Sequence, residues 1–321
     1  MMGNQTEPSP TPGSAPVVPG EVVYFGGAFV PLSEARVPIT THAFNYGTGC
    51  FEGIRAYWNA SEQQLYVLRL VEHAERLVAS SRILGLDFEL GAGTVAELLL
   101  ELLAVNRYRE DAYLRPIVYK SGETISVRLV GLATSFCAYS LPLGDYLPTD
   151  RCLNVSVSTW RRPDDNAIPS RAKPTGAYLN AALASSEARG RGFDEAIMLT
   201  ADGHVAEAAS ANLFLVRAGR LVTPPTSDDI LVGITRDSVL AIAGELGVPA
   251  EERRVDRSEL FDADELFICG TGVQIAPVGG VDGRSIGSGE PGPVTMELQR
   301  TYLEVGRGIS GLFSEWRTPV Y

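Results

Sequence analysis

One segment constrains this chain more than any other: Leu141-Pro142-Leu143-Gly144-Asp145-Tyr146-Leu147-Pro148-Thr149-Asp150 gathers two prolines and a glycine between apolar stretches. Proline lacks the backbone donor that a helix interior or a central strand requires, so no regular element runs through this segment and the chain divides there. Before it, residues 65–70 are strand-like, 71–84 and 94–105 carry apolar residues at helical spacing, and 112–119 and 133–139 read as strands. After it, a strand over 153–160 leads to a helix over 177–189, strands near 195–200 and 212–216, a helix over 236–246, a strand near 265–269 and a helix within 293–312. No internal repeat is present. The pattern predicts a smaller α+β domain over 21–140, an interdomain loop over 141–151 and a larger domain over 152–321, a division that suits 321 residues. Residues 1–20 are rich in Pro, Ser and Thr, lack the basic start and apolar core of a signal peptide, and read as a disordered tail.

Charge and cysteine usage narrow the function. A net charge of −12, with arginines spread along the chain, gives no footprint for nucleic acid. Apolar runs fall short of the roughly 20 residues of a membrane span. Cys50, Cys137, Cys152 and Cys269 form no Cys-x-x-Cys pair and only three histidines occur, which points to a reduced, cytoplasmic setting and no metal site. The expected partners are small molecules, bound where domains meet.

Against this background the chain has 2 lysines and 25 arginines. Arginine stays protonated and forms no imine, whereas a lysine amine can attack a carbonyl, so a surviving lysine is a candidate for that chemistry. Lys120 ends an apolar run. Lys173 lies in Ser170-Arg171-Ala172-Lys173-Pro174-Thr175-Gly176-Ala177-Tyr178, an irregular stretch opening an alanine-rich helix, and is the better candidate. Pro174 favours an extended Lys173, which places the lysine before the helix and Tyr178 near its first turn. If the imine partner is pyridoxal phosphate, the site needs a carboxylate for the ring nitrogen, a phosphate cradle and a donor near the phenolic oxygen. Glu207 stands among small residues in Val205-Ala206-Glu207-Ala208-Ala209; read alone it fits an acid in a surface turn equally well. Gly233-Ile234-Thr235-Arg236-Asp237 precedes an amphipathic run and offers helix-start N–H groups to an anion. Gly270-Thr271-Gly272 follows an apolar strand, and Arg76 adds a forked donor.

These pieces, in this order, resemble the fold-type IV pyridoxal-phosphate enzymes, and specifically the branched-chain amino acid aminotransferases. The resemblance spans nearly the whole chain after the tail and also includes His42-Ala43-Phe44-Asn45-Tyr46-Gly47-Thr48-Gly49-Cys50-Phe51-Glu52-Gly53-Ile54-Arg55 and Tyr113-Leu114-Arg115-Pro116. It implies a two-domain α+β and α/β architecture of the D-amino acid aminotransferase-like kind, with pyridoxal 5'-phosphate between a smaller N-terminal and a larger C-terminal domain. It implies that Lys173 carries the cofactor and shuttles the proton, that Glu207 pairs with the ring nitrogen, and that Tyr178 bonds the phenolic oxygen. Arg76, Ile234, Thr235 and Thr271 would hold the phosphate. Tyr46, Phe51, Gly53 and Tyr146 would border the substrate side chain, with Tyr113, Thr271 and Gly272 near its α-carboxylate and Arg115 receiving the distal carboxylate of glutamate. The implied reaction is ping-pong transfer between leucine, isoleucine or valine and 2-oxoglutarate, in a homodimer or dimer-based assembly whose subunits complete each other's pockets. Ser121-Gly122-Glu123-Thr124 stands where many bacterial members have a glycine-rich segment, and Ala208 replaces a common glycine. D-amino acid transaminases, (R)-amine transaminases and aminodeoxychorismate lyases share the fold; Arg115 and Phe51-Glu52-Gly53 speak against the lyase.

Overall fold

The computed structural model describes residues 19–144 and 151–321. Most of the expected tail, much of the expected interdomain loop and the candidate residue Tyr146 therefore lie outside the described residues. The chain as far as Pro142 supplies strands β1 (Val22–Phe25), β2 (Ala28–Pro31), β3 (Gly49–Phe51), β4 (Ile54–Asn59), β5 (Gln64–Leu68), β6 (Ala112–Lys120) and β7 (Thr134–Pro142). Three helices accompany them, α1 (His42–Tyr46), α2 (Leu70–Ile83) and α3 (Ala92–Asn106). The expected break at Leu141 comes slightly later, because the ladder pairing β6 with β7 continues to Pro142, opposite Ala112.

Strand β6 shows how the sequence builds this unit. Side chains alternate across a strand, so Ala112, Leu114 and Val118 face a core shared with Leu77 of α2 and Leu99 and Leu103 of α3. Tyr113 and Arg115, one residue out of phase, face the other way. Pro116 falls where the partner of β6 changes from β4, paired through Leu114, to β3, paired from Ile117. Its carbonyl accepts from Glu52 N at 3.0 Å.

The second unit contributes β8 (Leu153–Arg161), β9 (Glu195–Leu199), β10 (Val205–Ala208), β11 (Asn212–Arg217), β12 (Arg220–Thr223), β13 (Ala250–Glu252), β14 (Glu265–Gly270), β15 (Gln274–Val281) and β16 (Arg284–Ser285). Its helices are α4 (Tyr178–Gly190), α5 (Ile234–Glu245) and α6 (Pro293–Gly306). The sheet order is β10-β9-β8-β15-β14-β11-β12-β13, with β16 on β15. Strands β9 and β15 are buried along their whole length, the continuous apolar pattern of a sheet covered on both faces. Leu266 and Ile268 of β14 join Leu213, Leu215 and Leu260 on one face. Phe267 and Cys269 meet Val239 and Ile242 of α5 and Leu298 of α6 on the other.

Two features tie the units together more closely than a division at 141–151 anticipates. Tyr57 of β4 and Leu68 of β5 belong to the same apolar cluster as α5 and α6. A last strand, β17 (Arg317–Pro319), returns to pair with β5, giving the first sheet the order β17-β5-β4-β6-β7-β1-β2 with β3 on β6. The final residues expected within 152–321 thus pack in the N-terminal sheet. That pairing joins distant parts of the chain, and short-range patterning carries no sign of it. Among the described residues, no helix is long and apolar enough to cross a membrane.

Candidate active site

A cavity of about 290 Å³ lies between the two units, and Lys173 lines it. The lysine is in the irregular segment between β8 and α4, fastened to the first unit at both backbone groups: Lys173 N donates to Ser80 Oγ at 3.2 Å, and its carbonyl accepts from Phe51 N at 3.2 Å. Pro174 is extended, with φ −74° and ψ 139°, and a short 3₁₀ turn brings Tyr178 to the first position of α4. Lys173 thus precedes the helix and Tyr178 opens it, as expected for this segment. The ammonium stands 5.3 Å from the Phe51 ring and 5.4 Å from the Tyr178 ring. Lys120, by contrast, is fully buried and committed to Asp87 Oδ2 at 3.0 Å and Leu132 O at 3.1 Å.

Glu207 is not in a surface turn; it is inside β10, just ahead of β11, 5 % exposed, and lines the cavity. Its Oε1 lies 2.9 Å from Arg162 Nη2, and its Oε2 accepts from Asn212 Nδ2 at 2.9 Å and Leu231 N at 3.3 Å. A carboxylate has about four acceptor positions, so one on Oε1 remains for a donor in the cavity. Burial pushes the Glu207 carboxyl up, and Arg162 is the main opposing influence. A protonated ring nitrogen is the kind of partner that relieves such a buried carboxylate. Sequence reasoning missed Arg162, which follows β8 in an arginine-rich chain and carries no distinguishing local signal. Gly233 is required here by close approach: a Cβ on it would meet Asn212 Oδ1 at 1.9 Å.

Helix α5 begins at Ile234, two residues earlier than its apolar periodicity predicts, with Gly233 as extended N-cap. Ile234 and Thr235 are thereby the first two residues of the helix, where N–H groups lack intrahelical acceptors. Both line the cavity together with Arg76, Thr271 and Gly272. This constellation suits a phosphate. The turn bearing Thr271 and Gly272 is held by Arg55, whose guanidinium donates to the carbonyls of Thr271 (3.2 Å), Gly272 (3.0 Å), Leu143 (2.8 Å) and Gly144 (2.8 Å). Arg55 lies in the His42–Arg55 segment, and nothing local in the sequence marks this role.

The third wall combines apolar surface with one cation. Phe51, Tyr139, Leu141 and Leu143 line it beside Tyr113 and Arg115. The Arg115 guanidinium lies 4.3 Å above the Phe51 ring and donates to Tyr113 Oη at 2.7 Å, while its Nε is buried without a partner among the described residues. Gly53 lines the cavity for a steric reason, since a Cβ there would stand 2.1 Å from Tyr113 Oη. Tyr46 is the exception among the described candidates. It does not line this cavity: it is 40 % exposed, and its hydroxyl donates to Ile125 O at 2.8 Å. The motif spacing that suggested it says nothing of where α1 packs.

Residues 49–281 match the model of the amino-transferase class IV family. A probable branched-chain-amino-acid aminotransferase of Aquifex aeolicus (strain VF5) is 44 % identical over 302 residues, covering 94 % of this chain and 97 % of the relative. The crystal structure of a branched-chain aminotransferase from Thermoproteus uzoniensis with norvaline superposes with a TM-score of 0.90 at 43 % identity, over 94 % of this chain and 100 % of that one. The crystal structure of the branched-chain amino acid aminotransferase from Thermobaculum terrenum in its PLP form gives a TM-score of 0.90 at 36 % identity, over 94 % and 99 %. The chain belongs to the class IV aminotransferases and, within them, to the branched-chain amino acid aminotransferases.

Proposed function

We propose that this cavity is the active site of a pyridoxal 5'-phosphate-dependent transaminase moving amino groups between L-leucine, L-isoleucine or L-valine and 2-oxoglutarate. The observation that carries the substrate assignment is the third wall, where an apolar surface encloses a single arginine with an unused buried donor. A carboxylate cannot be buried in apolar surroundings without a partner, and Arg115 supplies one without removing the surface that a branched side chain needs.

The residues fit the cofactor as follows. Lys173 holds it covalently, Glu207 keeps its last acceptor position for the ring nitrogen, and Tyr178 stands beside the lysine for the phenolic oxygen. Arg76, Ile234, Thr235 and Thr271 take the phosphate. Bound pyridoxal phosphate supplies an aldehyde carbon that condenses with amines and a ring that accepts the electron pair left when the Cα proton departs. Lys173 Nζ would act as base and then acid within each half-reaction, moving the proton between the substrate Cα and the C4′ carbon of the cofactor. Glu207, whose carboxyl burial raises and Arg162 only partly offsets, would share the buried charge with the ring nitrogen and keep that nitrogen protonated. The N–H groups of the Thr271 and Gly272 turn and Tyr113 Oη orient the substrate α-carboxylate. The two half-reactions use one site in turn, which makes the kinetics ping-pong.

Arg115→Leu is expected to raise the KM for glutamate and 2-oxoglutarate about 10–100-fold while changing that for leucine far less, since a charge-assisted hydrogen bond contributes about 1.5–3 kcal/mol. Steady-state kinetics over leucine, isoleucine, valine, alanine, a D-amino acid and an arylalkylamine, each with 2-oxoglutarate, checks both parts. Equal losses for both substrates, or a preference for the D-amino acid or the amine, would reject the assignment.

We infer further that the enzyme works in the cytoplasm as a homodimer or a dimer-based assembly. Ile39 (80 % exposed), Phe44 (72 %), Ile125 (92 %) and Val127 (77 %) are exposed apolar residues on segments joined at α1, where Tyr46 Oη donates to Ile125 O and Asn45 Nδ2 to Ile39 O. A second copy covering these residues would carry Tyr46 to the partner's substrate wall, which reconciles its expected role with its position. Sedimentation velocity should give at least twice the 34.4 kDa of the chain; a monomer at micromolar concentration with full activity would contradict this.

A further inference from the structure

The carboxylate of Glu52 is fully buried in the bend between β3 and β4, and nothing in the proposed chemistry uses it. Its Oε1 accepts from Arg76 Nε at 2.7 Å; its Oε2 accepts from Arg76 Nη2 at 2.8 Å and from His73 Nδ1 at 2.7 Å. Arg76 Nη1 donates to Val232 O at 2.7 Å, just ahead of the N-cap of α5. An arginine has five N–H groups. Three are committed by these contacts, which leaves one on each Nη for an anion in the cavity that Arg76 lines. The same bend fixes the lysine, because the neighbouring Phe51 N bonds Lys173 O.

We propose that Glu52 is a positioning residue for the phosphate end of the cofactor site: its carboxylate, steadied by His73, locks the Arg76 fork so that its two remaining N–H groups converge with the start of α5. This rests on the reading that Arg76 holds the phosphate. Two opposing effects decide its sign. A carboxylate near a phosphate repels it, which weakens binding. It also orients the guanidinium bidentately and supplies the counter-charge that a buried arginine needs when the cofactor has left. Orientation dominates, because an anion held by the two remaining N–H groups would have the Arg76 guanidinium between it and Glu52, whereas an uncharged amide at residue 52 would turn an NH₂ group toward one of the arginine's own donors. Although burial raises the Glu52 carboxyl, Arg76 and His73 outweigh it and hold it well below the usual carboxylate range. Burial lowers His73, which leaves it a neutral imidazole with Nδ1 as donor.

The test compares two ligands on the cofactor-stripped full-length chain. Pyridoxal phosphate and pyridoxal share the aldehyde and ring and differ only in the phosphate, so an effect through Arg76 separates them. Glu52→Gln is expected to raise the Kd for pyridoxal phosphate about 10–100-fold, the scale of contacts that orient a ligand-holding side chain, with the Kd for pyridoxal unchanged within about threefold. In an Arg76→Met background the same substitution should have no further effect. Equal weakening of both ligands, or no weakening of either, overturns the proposal. If Arg76→Met alone leaves the Kd for pyridoxal phosphate unchanged, the phosphate assignment fails first and takes the proposal with it. Should Glu52→Gln not fold, His73→Ala in the same cycle tests the contact from its other side, with the same phosphate-selective loss expected.

Discussion

Lys173→Ala is expected to lower transamination at least about 10³-fold at saturating pyridoxal phosphate, since it removes both the covalent anchor and the group that moves the Cα proton, and acid–base catalysis alone contributes roughly 10²–10⁴-fold. The fold should survive. The side chain lies in the cavity rather than in a core, and the contacts that fix the segment are backbone ones, from Lys173 N to Ser80 Oγ and from Phe51 N to Lys173 O. Lys120→Met supplies the contrast. That lysine is fully buried and joins Asp87 and Leu132 O, so its loss is expected to cost stability, about 1–2 kcal/mol, without touching the active-site cavity. Turnover and thermal unfolding measured on both variants check the pair. Substantial activity in the Lys173 variant, or a catalytic rather than a stability defect in the Lys120 variant, would exchange their roles.

Glu207→Gln should retain the cofactor yet slow transamination about 10–100-fold, because an amide cannot keep the ring nitrogen protonated and a charge-assisted hydrogen bond of about 1.5–3 kcal/mol is lost in the transition state. Asn212 Nδ2, Leu231 N and Arg162 Nη2 all converge on the carboxylate, and glutamine has nearly the same volume, so the pocket need not collapse. Exchange of the leucine Cα proton in deuterated water reads the proton-transfer step directly. Exchange at the wild-type rate would show that Glu207 does not supply the electron sink.

The residues that the sequence made legible share a property: their environment is set by their own neighbours in the chain. Pro174 keeps Lys173 ahead of the helix, the small residues around Glu207 leave room for close packing, and Gly233 ahead of an amphipathic run marks a helix start. Strand alternation likewise puts Tyr113 and Arg115 on one face. What escaped depends on contacts between distant segments. Arg162 acquires its role only when the end of β8 meets β10, and Glu52 only when the bend between β3 and β4 meets α2. Tyr46 has the right motif but sits outside the cavity, because motif spacing specifies a neighbour in sequence and not the face on which a short helix packs. Strand β17 is three residues long and joins β5 through a pairing that no local periodicity foreshadows.

The central claim, that one lysine of two carries pyridoxal phosphate, has a direct measurement: borohydride reduction of the cofactor-loaded enzyme, proteolysis, and mass spectrometry of the labelled peptide. The account predicts a single phosphopyridoxyl adduct on Lys173, abolished by prior incubation with leucine, which displaces the lysine amine. An adduct on Lys120, or labelling that leucine leaves untouched, would contradict it.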